Sequence, residues 1–134
     1  MGLIRTAAFV LGAVYLVVGA LGFIPAAVFG DAHASMPSAS GNLLGIFPIN
    51  ALHNVVHLAI GAALVYGATA TAAAILVSRV VGATYVVVGL AGIPFPDGFG
   101  LLPLGGVDVL LHLATGAVLL WLGFATARQE VATA

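Results

Sequence analysis

In 134 residues the chain carries three Lys or Arg and four Asp or Glu, and 63% of it is hydrophobic. Mean hydropathy is +1.26, while a soluble domain is about one quarter charged; this chain has too few charges to cover a surface facing water, so it must face lipid. The net charge of −1 leaves no basic footprint for nucleic acid, and the absence of cysteine excludes disulfides, a thiolate nucleophile and Cys-ligated metal.

Four apolar runs follow one another, at about Thr6–Pro25, Ala51–Gly67, Thr71–Ile93 and Val107–Thr126. About 17–25 apolar residues in a helix cross a bilayer core, and the second run only just qualifies. Backbone groups in lipid must be paired within their own segment, so the runs are read as helices and not strands. The expected fold is all-α: four transmembrane helices in a single domain spanning residues 1–134.

Before the first helix, Met1-Gly2 with Thr6 imitates an N-myristoylation signal. A chain made of membrane helices gains little from a lipid anchor, and the match is read as chance. Arg5, the first apolar run and the Ala32-His33-Ala34 triplet imitate a cleaved signal peptide. Retention is expected instead, because the run is longer than a typical signal core and has a copy later in the chain.

That copy organises the sequence. GAVYLVVGALG from Gly12 recurs as GATYVVVGLAG from Gly82, identical at seven of eleven positions with an offset of 70. GIFPINALHNVVHLAIGAALV from Gly45 recurs as GLLPLGGVDVLLHLATGAVLL from Gly100, with an offset of 55. The difference of 15 is a longer middle loop in the first half. One helical hairpin is thus duplicated, as residues 1–70 and 71–134. Within the copies, Gly12, Tyr15, Gly19 and Gly22 share one face of helix 1, and Gly82, Tyr85, Gly89 and Gly92 repeat it on helix 3. Stripes of small residues let backbones approach inside lipid, so these six glycines are predicted packing positions.

Between helices 1 and 2, Asp31–Asn42 is small and polar and is expected to be a solvated loop. Leu43–Ile49 is apolar, with Pro48 near its end, and should lie in the interface or fold over the bundle mouth; Leu101–Leu104 with Pro103 is its counterpart. Arg5, Arg79 and Arg128 all fall at the same side of a four-crossing chain, and the loops on the other side hold no Lys or Arg. The positive-inside rule then places both termini in the cytoplasm of a cell whose inner (plasma) membrane holds the protein. Arg79, inside helix 3, must snorkel back to that side. Because each copy crosses twice, the copies share one orientation, as a parallel repeat about an axis along the membrane normal.

The polar residues gather at the starts of helices 2 and 4. His53 and His57 share a face, as do Asp108 and His112, and the duplication makes His53 answer to Asp108 and His57 to His112. Asn50 and Asn54 add amides at the same end. Gly19 and Gly89 are expected at a similar depth, leaving room for the imidazoles, while Tyr15 and Tyr85 lie deeper and lean away. Several readings stay open. Asn50 caps helix 2, Asp108 sits at the positive end of helix 4, and the two deeper histidines, His57 and His112, hydrogen-bond across the bundle. Alternatively His53, His57, Asp108 and His112 are donors to a metal ion, His57 and His112 are axial ligands of haem, or the cluster serves a proton relay or contacts quinone. No catalytic motif is present. The expected function is therefore that of a non-enzymatic scaffold or accessory subunit without a cofactor, whose partners are the bilayer and either copies of itself or a larger membrane complex.

The string GIFPINALHNVVHLAIG resembles the hallmark of a family of small four-helix bacterial membrane proteins known only as a domain of unknown function. The matching positions are Gly45, Pro48, Asn50, His53, Asn54, His57 and Leu58, then Asp108, His112 and Leu113 in the second half. Gly105 and Val109 stand where the family pattern has Asn. The resemblance covers nearly the whole chain and implies a four-helix integral membrane fold, with no activity attached.

Orientation is directly testable in this cysteine-free chain. Single cysteines at Ser38 and Ala134 should react with a membrane-impermeant thiol reagent from opposite sides; equal labelling of both from outside would contradict the assigned topology.

Overall fold

A computed structural model describes residues 1–24, 27–30 and 41–132. The elements are α1 (Leu3–Leu21), strands β1 (Val28–Gly30), β2 (Gly41–Leu43) and β3 (Phe47–Ile49), α2 (Ala51–Gly67), α3 (Thr71–Ala91), a 3-10 turn (Gly98–Gly100) and α4 (Val107–Ala132). Three of the four helices are long and apolar enough to cross a membrane, and α2, with 17 residues, is a shorter apolar helix. Most of the Asp31–Asn42 stretch, and the Ala32-His33-Ala34 triplet with it, lies outside the described residues.

Helices pair most extensively as α1 with α2 and α3 with α4, and glycine is the reason. A Cβ built on Gly12 would lie 2.8 Å from the Gly61 carbonyl oxygen, and one on Gly61 would lie 2.8 Å from that of Gly12. In the other pair, a Cβ on Gly82 would stand 3.0 Å from the Gly116 oxygen, and one on Gly116 2.9 Å from that of Gly82. Real Cβ atoms do not approach backbone so closely; the absence of a side chain sets the helix separation. Further along the same stripes, Gly19 lies against Asn54 and Leu58, and Gly89 against Leu113 and the Cβ of His112. Gly22 leaves the space that the Asn54 amide fills, and Gly92 meets Leu104 and Val109.

Around these crossings, Ile4, Ala8, Tyr15, Leu64, Ala74, Val81, Tyr85 and Leu119 form the main core. Outward-facing rows such as Val10, Val14 and Val17 on α1 or Leu110, Val118 and Trp121 on α4 are exposed. Such a surface suits lipid and not water. At the end where the termini lie, Arg5 Nε donates to the Ala68 carbonyl at 2.8 Å and Arg79 Nε to that of Gly123 at 3.2 Å. Arg79 also rests its guanidinium 4.4 Å from the centre of the Phe124 ring. Each arginine thereby satisfies a carbonyl of the neighbouring helix while its stem covers apolar surface.

The three short strands are an addition that sequence periodicity did not announce. They form one antiparallel sheet in the order β1-β2-β3, with Val28 opposite Leu43 and Leu43 opposite Phe47. Val28, Leu43 and Ile49 bury together against Val18 and Leu21 of α1, so the Leu43–Ile49 segment folds over the bundle end. Three-residue strands are too short to show alternation. The turn between β2 and β3 places Leu44 at φ 53° and Gly45 at φ 76°; the α3–α4 connection repeats this with Phe99 at 60° and Gly100 at 77°. Only glycine adopts that left-handed backbone without steric cost, which accounts for a glycine at both equivalent positions.

Replacing Gly19 by Leu should destabilise the bundle by about 1–3 kcal/mol, because the backbone of α2 cannot yield as a flexible side chain would. Thermal unfolding in detergent measures this, and an unchanged midpoint would contradict the α1–α2 crossing.

Candidate functional site

Asn50 fixes the polar end of α2. Its side-chain oxygen accepts the His53 N–H at 2.8 Å, the bond of an N-cap, while its Nδ2 donates to the Leu101 carbonyl at 2.7 Å. One amide thus starts α2 and ties it to the α3–α4 connection. The second half has no such residue. Gly105 occupies the corresponding place, and a Cβ there would lie 2.5 Å from that of Pro96. An asparagine would not fit without moving the chain, which explains the departure from the family pattern.

From this start the helix directs His53 and His57 inward, and α4 directs His112 to meet them. All three are buried, at 3%, 7% and 3% exposure. The His53 and His57 ring centres are 4.4 Å apart, and His53 stacks on His112 at 6.1 Å with the rings 18° from parallel. One potential ligand nitrogen from each of the three lies within 4.8 Å of the others. The Nδ1 atoms of all three are buried without a hydrogen-bond partner. These Nδ1 atoms make no hydrogen bond across the bundle. A buried polar atom left unpaired costs roughly 1–3 kcal/mol, and three at one point require an explanation.

Asp108 and Asn54 take other places. Asp108 is buried in the first turn of α4 with its Oδ2 unpartnered, and it is not part of the tri-histidine group. It lines a separate cavity of about 290 Å³ with Tyr15, His57 and Thr115. The Asn54 amide fills the space above Gly22, and its Oδ1 is also without a partner. Its equivalent, Val109, meets Gly92 with a methyl group and needs none.

Two residues set aside on sequence grounds belong to the site. Tyr15 packs on His57 at 5.3 Å, Tyr85 on His112 at 5.0 Å, and the tyrosines meet edge to face at 5.4 Å. Counting depth placed them below the histidines. The glycine crossings place Gly12 against Gly61 and Gly19 against Asn54 and Leu58, so Tyr15 lies within a turn of His57 and its ring bridges the remainder. Their position on the glycine stripe, once in each copy, was the available signal.

The room near His53, His57 and His112 decides between the cofactors considered. The cavity bordered by these residues, Tyr85 and Leu104 measures about 60 Å³. That space is far too small for a porphyrin, so a haem between His57 and His112 would require the helices to move apart.

The model of the family described as Domain of unknown function (DUF4383) matches residues 5–125, and the chain belongs to that family, as the Gly45–Leu58 motif implied. No curated protein and no solved structure matches the chain.

Asn50→Ala removes the cap and the tie to Leu101 together. It should lower stability by about 1 kcal/mol for the cap, with a further loss for the broken tie. Asn50→Asp keeps the capping oxygen and loses the donor, so it should recover the cap contribution alone; equal stability of wild type and Asn50→Ala would refute the double role.

Proposed function

We propose that the protein is a small polytopic membrane protein whose His53, His57 and His112 hold one divalent transition-metal ion. The reading rests on three buried imidazoles converging from two helices with unpartnered Nδ1 atoms. Neutral imidazole is a common ligand of zinc and its first-row neighbours. Zinc–nitrogen bonds of about 2.0–2.1 Å with tetrahedral angles set neighbouring donors about 3.3 Å apart. The ligand nitrogens, which lie within 4.8 Å of one another, draw in by up to about 1.5 Å to reach that spacing. Three protein ligands leave a fourth position open, and the 60 Å³ cavity beside the group has room for a water there. An ion held by one nitrogen of each ring would give the convergence of the three imidazoles a physical cause.

Around this centre the chain is arranged as two tandem hairpins of one orientation, residues 1–70 and 71–134, with both termini cytoplasmic in the inner membrane. Support comes from matched details of the two copies. The crossings Gly12–Gly61 and Gly82–Gly116 correspond, as do the left-handed Gly45 and Gly100 and the carbonyls of Ala68 and Gly123 that Arg5 and Arg79 reach. The bilayer is the primary partner, and the exposed valine and leucine rows also offer a face to another copy or a larger complex.

Protein stripped of metal in mild detergent and titrated with zinc should take up one ion per chain and gain thermal stability. Cobalt in place of zinc should give the visible bands of a four-coordinate ion. His57→Ala or His112→Ala should weaken binding by tenfold or more while the cobalt spectrum disappears. A folded protein that takes up no metal would leave the scaffold or accessory role as the function.

A further inference from the structure

The charges of the chain divide between the two ends of the bundle. Asp31 falls in the α1–α2 connection, Asp97 in the α3–α4 connection and Asp108 in the first turn of α4. Arg5, Arg79 and Arg128 stand towards the end that carries the termini. Arg79 lies about two turns inside α3, a helix with no acidic residue. Of the two acidic residues on α4, Asp108 is at its far end, and helical spacing turns Glu130 away from the face of Phe124. Among the described residues, Arg79 therefore meets a carbonyl and a ring and no carboxylate. A cation at that depth is costly without an anionic partner.

Its surroundings carry the guanidinium outwards. Gly123 leaves the notch that the Arg79 stem crosses, since a Cβ there would lie 2.9 Å from Arg79 Cγ. Nε donates to the Gly123 carbonyl at 3.2 Å, and the guanidinium reaches the Phe124 ring, in a residue 49% exposed. Only one of the five N–H donors of the fork is used there. Arg128 is exposed and four residues beyond Phe124, hence on the same face, with its Cβ inclined back towards that ring. Trp121, three residues before Phe124 and 65% exposed, continues the face into the apolar stretch.

We propose that this face binds an anionic phospholipid, its phosphate between Arg79 and Arg128 and an acyl chain along Phe124 and Trp121. Guanidinium forks suit phosphate oxygens, because each offers parallel N–H donors. Two cations call for a headgroup of net negative charge; a choline head brings its own cation and leaves the pair uncompensated. Free phosphate would satisfy the arginines and leave the aromatic row bare, whereas the chain of a lipid covers it. Basic residues at a membrane surface attract anionic lipid in this way. The arginines take no part in the tri-histidine group, so the inference is independent of the metal reading.

Trp121 is the only tryptophan of the chain and reports on the site directly. The protein in phosphatidylcholine vesicles is titrated with phosphatidylglycerol or phosphatidylcholine brominated on the acyl chains, and quenching of Trp121 gives their relative affinity. Phosphatidylglycerol should be preferred by about fivefold or more. Inorganic phosphate at constant ionic strength should not reduce its quenching. Arg79→Gln and Arg128→Gln should each remove most of the preference, and the exposed Arg128 serves if Arg79→Gln does not fold. Arg5→Gln, on the other helix pair, should leave the preference unchanged. Equal quenching by the two lipids, a preference that survives Arg128→Gln, an equal loss in Arg5→Gln, or displacement by inorganic phosphate would overturn the assignment.

Discussion

Close approach of helix backbones at glycine is the constraint on which the rest of this structure depends. Between lipid-facing helices there is no gain from excluding water, so association rests on packing and on polar contacts. At Gly12–Gly61 and Gly82–Gly116 the absent Cβ atoms allow carbonyl oxygens within about 3 Å of where a side chain would begin. That separation sets the register of α2 on α1 and of α4 on α3. It brings His57 beside Tyr15 and His112 beside Tyr85, and it leaves the histidines no direction but inward. A substitution on the stripe is therefore a substitution of the site as well.

The two halves of the chain differ where their surroundings differ. Asn50 ties α2 to the α3–α4 connection, a role that one copy suffices to fill; Gly105 in the other packs flat on Pro96. Asn54 and Val109 differ in the same way beside Gly22 and Gly92. His53 joins the histidine group, whereas Asp108 lines the apolar cavity. His57 stands in the wall of both pockets.

Much of this was legible in the chain itself. Four helices followed from apolar length, and α2 begins and ends at the residues its run suggested. The others shift at their ends: α1 spans Leu3–Leu21 and α4 continues to Ala132. Helix ends are where pattern is weakest: α1 starts without a side-chain cap, and α4 runs on past its last strongly apolar turn. The sheet was illegible because three residues hold at most one alternation, and Pro48 and Gly41 weaken any strand propensity. The tyrosines were misplaced for another reason. Depth counted along separate helices carries no information about their relative register, which the glycine crossings set. The separation of Asp108 from the histidines likewise depends on the rotation of α4, which an i,i+4 spacing does not determine.

The central claim is the proposal that His53, His57 and His112 converge on one ion. X-ray absorption at the zinc edge of the zinc-loaded protein tests it most directly, because imidazole rings give a distinctive outer-shell pattern. The account predicts a four-coordinate ion with three imidazole nitrogens at about 2.0–2.1 Å, falling to two in His112→Ala. A shell of oxygen alone, or one unchanged in that variant, would contradict it.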